Sequence, residues 1–384
     1  MSESPDAHEL ERLLEGATRR PLTRRSVLKV AIGVPAAMAL AACSRDLSPN
    51  APASPTAGST ELEDTLNIYN WAAYLNPKTR KAFEDEYGVT TTQDFYASNE
   101  DLIAKLKAGA EGYDLVAPTG YAVEIMATNG LLTELDHARL PNMDNVDPRF
   151  LDAGFDPGNR YSLPKDWGTT GVGYLSKYVT EDITTWKQFY DLAPKYSGKY
   201  VVIDSAPEVV GSALKMLGYS YNTLEQNQVD EATEQLIGIK PHIGSITSSE
   251  YRQMMSRGEA WMALGWNGDF FYVAPKQPSV RYVIPSEGSE FWLDNWSIPA
   301  TAEHPNLAHE FINWVLTPEN QARESDYTYY ASAVEGAQEL SDPAIADDPS
   351  IYPPSEVTDK LETAIADPTF LTQRNEAWTK FKSA

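Results

Sequence analysis

Cysteine, basic residues and long apolar runs are all scarce in this 384-residue chain. Cys43 is its sole cysteine, which excludes an intramolecular disulfide. Lys and Arg number 31 against 55 Asp and Glu, for a formal net charge of −24. This deficit argues against a nucleic-acid partner, because binding nucleic acid requires a basic surface. The apolar run over residues 30–42 is also short of the ~20 residues that span a bilayer, so it is not predicted as a membrane helix.

Sequence motifs of several enzyme classes are missing as well. We find no Gly-x-Ser-x-Gly elbow, no His-Glu-x-x-His, no Walker-type loop and no dinucleotide-binding glycine motif. A glycosidase carboxylate pair leaves no sequence signature and so escapes a search for motifs. We nevertheless predict that this protein is not an enzyme. The five histidines are dispersed and have no cysteine partner, so we predict no metal and no cofactor.

The first 42 residues have the pattern of an export signal. Arg24 and Arg25 precede the apolar run as in a twin-arginine (Tat) signal, and Leu40-Ala41-Ala42-Cys43 resembles a lipobox. We therefore predict a Tat-type lipoprotein signal peptide over 1–42, with lipid attached to Cys43. Residues 43–64 are rich in Ser, Pro and Ala and predict a flexible tether. Such a protein is expected on the outer face of the cytoplasmic membrane, in the periplasm or at the cell surface, held there by its lipid anchor.

Beyond the tether, strand-like runs alternate with helix-like ones. Strands are predicted over 66–71, 90–96, 113–117, 199–203 and 261–265. Helices are predicted to begin at Asn76-Pro77, after Ser98 and near 121, 208, 229, 305 and 318, whereas 345–358 is predicted as a loop. This alternation is typical of parallel α/β organisation. Since the mature body of roughly 320 residues exceeds what one core usually covers, we predict two domains.

The positions just beyond the predicted strands are aromatic, hydroxyl-bearing or acidic. They fall at 71–74, 119–121, 204–208 and 266–269. Ligands of open α/β sheets bind at the carboxyl ends of the strands, so these positions are candidates for a ligand site. The acidic surface is compatible with a cationic ligand, because it concentrates cations near the cleft.

Short runs of uncommon residues also occur in a fixed order over long separations. They are Tyr69-Asn70-Trp71 with Tyr74, Ser98-Asn99-Glu100, Tyr113-Asp114-Leu115-Val116 with Pro118, Phe155-Asp156-Pro157, Trp167-Gly168, Leu217-Gly218-Tyr219-Ser220, Trp266-Asn267-Gly268, and Phe291-Trp292-Leu293-Asp294. In these runs the chain resembles the spermidine/putrescine-binding proteins of ABC importers, a branch of the periplasmic-type solute-binding superfamily. The resemblance implies a type II-like fold of two α/β lobes with a hinge between them. Lobe 1 is expected over 63–172 and 293–338, and lobe 2 over 173–292 and 339–384.

The resemblance also implies which residues bind the ligand. The matching positions are Trp71, Tyr74, Thr119, Tyr121, Ser205, Glu208, Ser248, Trp266, Asp269, Trp292, Asp294 and Tyr329. Aromatic faces would cover the methylene chain of a polyamine, and three carboxylates would pair with its ammonium groups, because a buried unpaired charge is costly. The implied partners are this small cationic ligand and an ABC permease in the membrane. We expect a monomer and no covalent chemistry.

Three positions depart from the family pattern. Ala72 and Ala73 stand where the family has a hydroxyl and an acid, and Ser205 stands where the spermidine branch has Asp. A site short of one acid suits a shorter amine, a monoamine or an amine–acid zwitterion. A different cargo on the same fold, namely a sugar, an oxyanion or ferric iron, also stays open, as does a ligand-sensing lipoprotein.

Overall fold

Ten strands and the helices between them build residues 61–384, the part of the chain that this computed structural model describes. The strands are β1 (Thr65–Trp71), β2 (Thr90–Tyr96), β3 (Leu115–Val116), β4 (Ser162–Leu175), β5 (Tyr200–Val202), β6 (Ile243–Ile246), β7 (Met262–Trp266), β8 (Val280–Val283), β9 (Phe291–Ser297) and β10 (Ala331–Ser332). The predicted signal peptide, Cys43 and all of the predicted tether except its last four residues lie outside the described residues.

Fourteen α-helices connect and cover these strands within the same residues. They are α1 (Pro77–Tyr87), α2 (Asn99–Lys107), α3 (Gly120–Thr128), α4 (Trp186–Asp191), α5 (Ala206–Met216), α6 (Gln226–Ile239), α7 (Tyr251–Ser256), α8 (Asn267–Val273), α9 (Pro305–Val315), α10 (Pro318–Thr328), α11 (Ala337–Leu340), α12 (Pro343–Ala346), α13 (Ser355–Thr358) and α14 (Pro368–Ser383). Short 3₁₀ helices occupy His137–Arg139, Pro141–Asn145, Pro148–Phe150 and Lys240–His242. The α/β fold class predicted from the sequence is confirmed.

The strands form one sheet in the order β2-β1-β3-β9-β4-β7-β5-β6, and β8 and β10 pair additionally with β4. At its two ends the sheet is parallel, as predicted: β1 pairs in parallel with β2 and β3, and β5 with β6 and β7. In the middle, β4 and β9 run antiparallel to their neighbours. The prediction of a parallel organisation is therefore wrong for the centre of the sheet.

β4 is the longest strand, and all of its 14 residues are buried. Its first part, up to Thr169, pairs with β9, and its second part, from Thr170, pairs with β7 and β8. A register shift between Pro164 and Asp166 interrupts the first ladder. The strand contains Pro, Lys, Asp and two adjacent Thr, so neither alternation nor an apolar run marked it in the sequence.

Two large hydrophobic cores lie along this sheet. The first core includes Leu66, Phe83, Leu163, Trp296 and Phe311. The second core includes Val172, Trp186, Val201, Leu264 and Phe381. β4 contributes to both cores, since Leu163 belongs to the first and Val172 to the second.

The proposed lobe boundaries stay a prediction. Residues 339–384 contribute to both cores: Ile345 and Ile351 pack in the first, and Trp378 and Phe381 in the second. Residues 345–358, predicted as a loop, contain the end of α12 and the whole of α13. Each of these helices has only four residues, too few to leave a periodic apolar pattern.

Helix caps place several chain segments as the sequence predicted. Asn76 caps α1 by accepting a hydrogen bond from the Lys78 amide at 2.9 Å, and Gly88 ends the helix in the left-handed region at φ 69°. Ser98 caps α2 by accepting from the Asp101 amide at 3.1 Å. At the start of the described chain, the Glu63 carboxylate accepts a 2.7 Å hydrogen bond from the Leu307 amide in the first turn of α9. The helices of residues 61–384 include none that is long and apolar enough to cross a membrane.

Candidate ligand-binding cavity

A cavity with about 190 Å³ of space for water-sized molecules opens at the carboxyl ends of β1, β5 and β7 and beside β9. All twelve residues that the sequence identified as ligand-binding candidates line it: Trp71, Tyr74, Thr119, Tyr121, Ser205, Glu208, Ser248, Trp266, Asp269, Trp292, Asp294 and Tyr329. The structure thus brings together residues that are up to 258 positions apart in the chain. Contact of each residue with a ligand stays a prediction.

Chain direction explains why these residues meet. Trp71 and Trp266 are the last residues of β1 and β7, so the parallel parts of the sheet deliver them to one edge. Thr119 and Ser205 are the N-caps of α3 and α5 and likewise lie at this edge. Trp292 and Asp294 reach the cavity from β9, which runs antiparallel to β3 and β4.

Aromatic rings form much of the cavity wall. The ring centroids of Trp71 and Trp266 are 6.3 Å apart in an edge-to-face arrangement. Those of Trp292 and Tyr330 are 4.8 Å apart, also edge-to-face, and Tyr74 contacts Tyr330 at 5.6 Å. Such packing leaves ring faces available to cover an apolar chain or a cation.

Asp294 ends a chain of hydrogen bonds. Its Oδ1 accepts from Thr119 Oγ1 at 2.6 Å, and Thr119 Oγ1 in turn accepts from Asn99 Nδ2 at 3.0 Å. Thr119 therefore uses its hydroxyl on Asp294 and not on the α3 amides that it precedes. Burial raises the pKa of the Asp294 carboxyl to about 7, although hydrogen bonds from Thr119 and Tyr74 and the charge of Lys165 oppose the rise.

Glu208 lies in the first turn of α5. It accepts hydrogen bonds from Trp266 Nε1 at 2.5 Å and from Thr170 Oγ1 at 2.7 Å, both at Oε1. Burial raises the pKa of the Glu208 carboxyl, and these donors moderate the effect. Glu208 thus fixes the orientation of the Trp266 indole.

Asp269 has a neighbour that the sequence did not predict. Arg252 of α7 places Nη1 3.2 Å from Asp269 Oδ1, and the Tyr330 hydroxyl lies 3.4 Å from the same oxygen. The Arg252 guanidinium also lies over the Tyr272 ring at 4.8 Å. Asp269 therefore already forms a salt bridge within the protein, whereas Glu208 and Asp294 form none within residues 61–384.

The remaining predicted residues have supporting contacts. The Ser248 hydroxyl accepts a hydrogen bond from the Asp204 amide at 3.0 Å, which joins two loops of the rim. The Tyr121 hydroxyl donates to Glu100 at 3.1 Å. Tyr329 ends α10 in the left-handed region at φ 61°, which turns the chain so that Tyr330 enters the cavity.

Several lining residues were not predicted. They include Tyr96, Asn99, Glu100, Arg252, Tyr272, Glu290 and Tyr330. Tyr96 ends β2, so the rule of positions after strands would have found it. Arg252 lies in the short helix α7 and Glu290 stands before β9, so neither follows a predicted strand.

A glycine in β4 makes room for one wall of the cavity. A Cβ added to Gly168 would lie 2.4 Å from Cζ2 and 2.7 Å from Cη2 of Trp292, and 2.5 Å from Asn267 Oδ1. We expect Gly168→Ala to displace the Trp292 ring at an overpacking cost of about 1–3 kcal/mol, with a loss of ligand affinity of similar size. Titration calorimetry measures the loss; Gly238→Ala, where a Cβ meets nothing within 4 Å, is the matched control. Equal affinities of the two variants would contradict this account of Trp292.

Comparison with known proteins agrees with the fold. A profile of the bacterial extracellular solute-binding protein family matches residues 78–353. The chain is 34% identical over 301 residues to the spermidine/putrescine-binding periplasmic protein of Salmonella typhimurium, which covers 78% of this chain and 86% of that one. It is 34% identical over 340 residues to the putrescine-binding periplasmic protein PotF of Escherichia coli, with coverage of 84% and 92%.

A solved structure extends the likeness to three dimensions. The TpPotD lipoprotein of Treponema pallidum superposes with a TM-score of 0.75 at 29% identity, over 83% of this chain and 99% of that one. Together with the family match over most of the described chain and the two sequence relatives, this confirms the resemblance inferred from the aromatic and acidic runs. The chain belongs to the bacterial extracellular solute-binding proteins.

Proposed function

We propose that this protein captures a polyamine, putrescine or spermidine, outside the cytoplasmic membrane and delivers it to an ABC permease. The proposal rests on two carboxylates that line the cavity and are buried without a salt bridge among residues 61–384. Glu208 and Asp294 are buried beside aromatic rings, and within residues 61–384 neither forms a salt bridge. Because a buried carboxylate without a cation is costly, a cationic ligand would complete this site.

The chemistry of a polyamine fits the wall. Its ammonium groups are separated by methylene chains, so it needs carboxylates at intervals and apolar cover between them. Trp71, Trp266 and Trp292 offer the cover and a cation–π attraction of about 0.5–2 kcal/mol per ammonium. Glu208 and Asp294 offer charge-assisted hydrogen bonds, which are about twice as strong as neutral ones.

The relatives support the same ligand class. The Salmonella typhimurium and Escherichia coli proteins are both named for putrescine binding, and each matches this chain over more than three quarters of its length. Similarity to a lipoprotein of Treponema pallidum supports the further proposal that Cys43 carries lipid. The tether of residues 43–64 would then hold the binding body away from the membrane.

The test is calorimetric titration of the mature protein, isolated from membranes in mild detergent, with a ligand panel. The panel contains putrescine, spermidine, spermine, agmatine, γ-aminobutyrate and a neutral sugar. We expect tight binding of putrescine or spermidine and none of the sugar. Silence for every amine would overturn the proposal. The same preparation tests the lipid anchor. We expect the Cys43→Ser variant to be recovered in the soluble fraction.

Arg252 favours a second candidate, a ligand that carries both an amine and a carboxylate. Its guanidinium lines the cavity and is partly exposed, and a guanidinium binds carboxylates in a bidentate manner. In this arrangement Arg252 would hold the ligand carboxylate and Asp294 the amine. Tight binding of γ-aminobutyrate with weak binding of putrescine would replace the first proposal by this one.

A further inference from the structure

The cavity contains a buried acid that the predicted binding set lacks. Glu290 stands directly before β9 and is 3% exposed, yet it lines the cavity. Its Oε2 is buried and has no hydrogen-bond partner within residues 61–384. A buried carboxylate oxygen without a partner needs an explanation, because leaving it unpaired is costly.

The backbone holds Glu290 close to Glu208. The Glu290 carbonyl accepts a hydrogen bond from the Thr170 amide at 3.2 Å, and the Thr170 hydroxyl donates to the Glu208 carboxylate at 2.7 Å. On its other side, Glu290 bridges to Glu362 in the neighbouring chain segment. One threonine of β4 therefore connects the backbone of Glu290 to the carboxylate of Glu208.

The surroundings of this pair contain acids and hydroxyls. The negative charges of Glu208 and Asp294 act on Glu290. Glu290 also interacts electrostatically with the hydroxyls of Tyr221 and Tyr121. Of the nearby cations in residues 61–384, Lys215 is paired with Glu362, and Arg374 donates to the backbone carbonyls of Tyr221 and Thr223. No salt bridge of the described chain reaches Glu208 or Glu290.

We propose that Glu290 is a ligand-binding residue, which with Glu208 forms a two-carboxylate site for one primary ammonium group. A primary ammonium has three N–H donors, enough to bond both carboxylates at once, whereas a quaternary ammonium has none. This inference rests on the proposed amine-binding function and narrows it to ligands with an unsubstituted terminal amine. It also supplies the acid that Ala72, Ala73 and Ser205 leave missing, from a different segment of the chain.

In the unliganded protein, a proton bound to the Glu208 and Glu290 pair neutralises the charge that the ammonium group of the ligand neutralises in the complex. Two buried carboxyls close together cannot both ionise readily, and both burial and the charge of Glu208 raise the pKa of Glu290 well above its usual range. The entry of an ammonium group favours the ionised pair. Binding is therefore expected to release a proton from this pair near pH 7, in addition to the fraction of a proton that Asp294 gives up.

The experiment titrates putrescine into the full mature protein near pH 7 in buffers of different ionisation enthalpy, which gives the number of protons released. For Glu290→Gln we expect affinity to fall about tenfold and proton release to drop markedly. Glu290→Asp keeps the carboxyl and is expected to keep the proton release, even with lower affinity. Glu356→Gln, an exposed site on α13, is the matched control for the loss of one negative charge.

The outcomes separate this inference from the function on which it rests. If the unmodified protein binds putrescine but Glu290→Gln retains its affinity and proton release, the role of Glu290 is overturned while amine binding stands. If the unmodified protein binds no amine, both fail. Unfolding by urea checks that Glu290→Gln folds; we expect it to be at least as stable as the parent, because a buried acid has been removed.

Discussion

Replacing Asp294 by Asn is expected to weaken putrescine binding by about 2–5 kcal/mol, which is at least 30-fold in Kd. Asparagine has the same shape and can still accept from Thr119 Oγ1, so the 2.6 Å contact survives. What disappears is the negative charge that would pair with a desolvated ammonium group. Calorimetric titration at pH 8, where the carboxyl is ionised, measures the loss.

Asp204→Asn is the matched control for that prediction. Asp204 also lines the cavity, but it is exposed and paired with Lys382 at 3.1 Å. Surface pairs contribute little, so its replacement is expected to change Kd by less than about fivefold. Equal losses in the two variants would indicate that the general acidity of the cavity attracts the ligand, and that Asp294 has no special role.

The pKa of the Asp294 carboxyl predicts how the affinity for putrescine depends on pH. Burial raises the pKa of Asp294 to about 7, so below pH 7 the ligand must displace a proton. Protonation of Asp294 is expected to contribute a fall in affinity of roughly tenfold per pH unit in that range, and Asp294→Asn should remove this contribution. Stability of the unliganded protein has the opposite slope: the unfolded chain loses this proton at lower pH, so the contribution of Asp294 to stability is lost as pH rises from about 4 to about 7.

Replacing Lys165 by Met is expected to reduce the free energy of unfolding by about 3–5 kcal/mol. Lys165 Nζ contacts Asp166 Oδ2, and both side chains are at most 1% exposed. The same ammonium lies 3.6 Å from the centroid of the Tyr74 ring, and its charge acts on Glu324, which is also buried. Its removal leaves two acids in the interior without a cation, and urea unfolding measures the cost.

The double variant Lys165→Met/Asp166→Asn tests the cause of that loss. If the uncompensated charge of Asp166 is responsible, the second substitution should restore a substantial part of the stability. If the double variant is as unstable as the single one, packing of the Lys165 stem is responsible instead. Lys165 also acts on Asp294 and lowers its pKa, so the single variant should shift the pH profile of binding to higher pH.

The cavity could be located from the sequence, because ligands bind at the carboxyl ends of parallel strands and a short stretch of sequence is enough to predict where a strand ends. Each of four site residues ends or closely follows a strand that an apolar run marks: Trp71, Thr119, Glu208 and Trp266. Such positions meet at one sheet edge whatever the rest of the fold. The family resemblance added Trp292 and Asp294, which lie within a strand and which periodicity alone did not single out.

Other parts could not be predicted, for physical reasons. Glu290 and Arg252 have no local signal, because their importance arises from burial and from neighbours far along the chain. β4 escaped prediction since all of its residues are buried, including Lys165 and Asp166, whose mutual pairing offsets their polarity. A polar residue in a sequence indicates a surface unless its partner is known.

The continuity of β4 through both cores limits how this protein can move. Sliding one core past the other would break the ladder with β9 or the ladder with β7, whereas twisting at the Thr169–Thr170 peptide would leave both intact. That peptide lies next to Glu208 and Glu290, through the amide and hydroxyl of Thr170. A ligand bound between the two glutamates would therefore lie close to the axis of this twist. A rotation about this peptide would change the orientation of one core relative to the other.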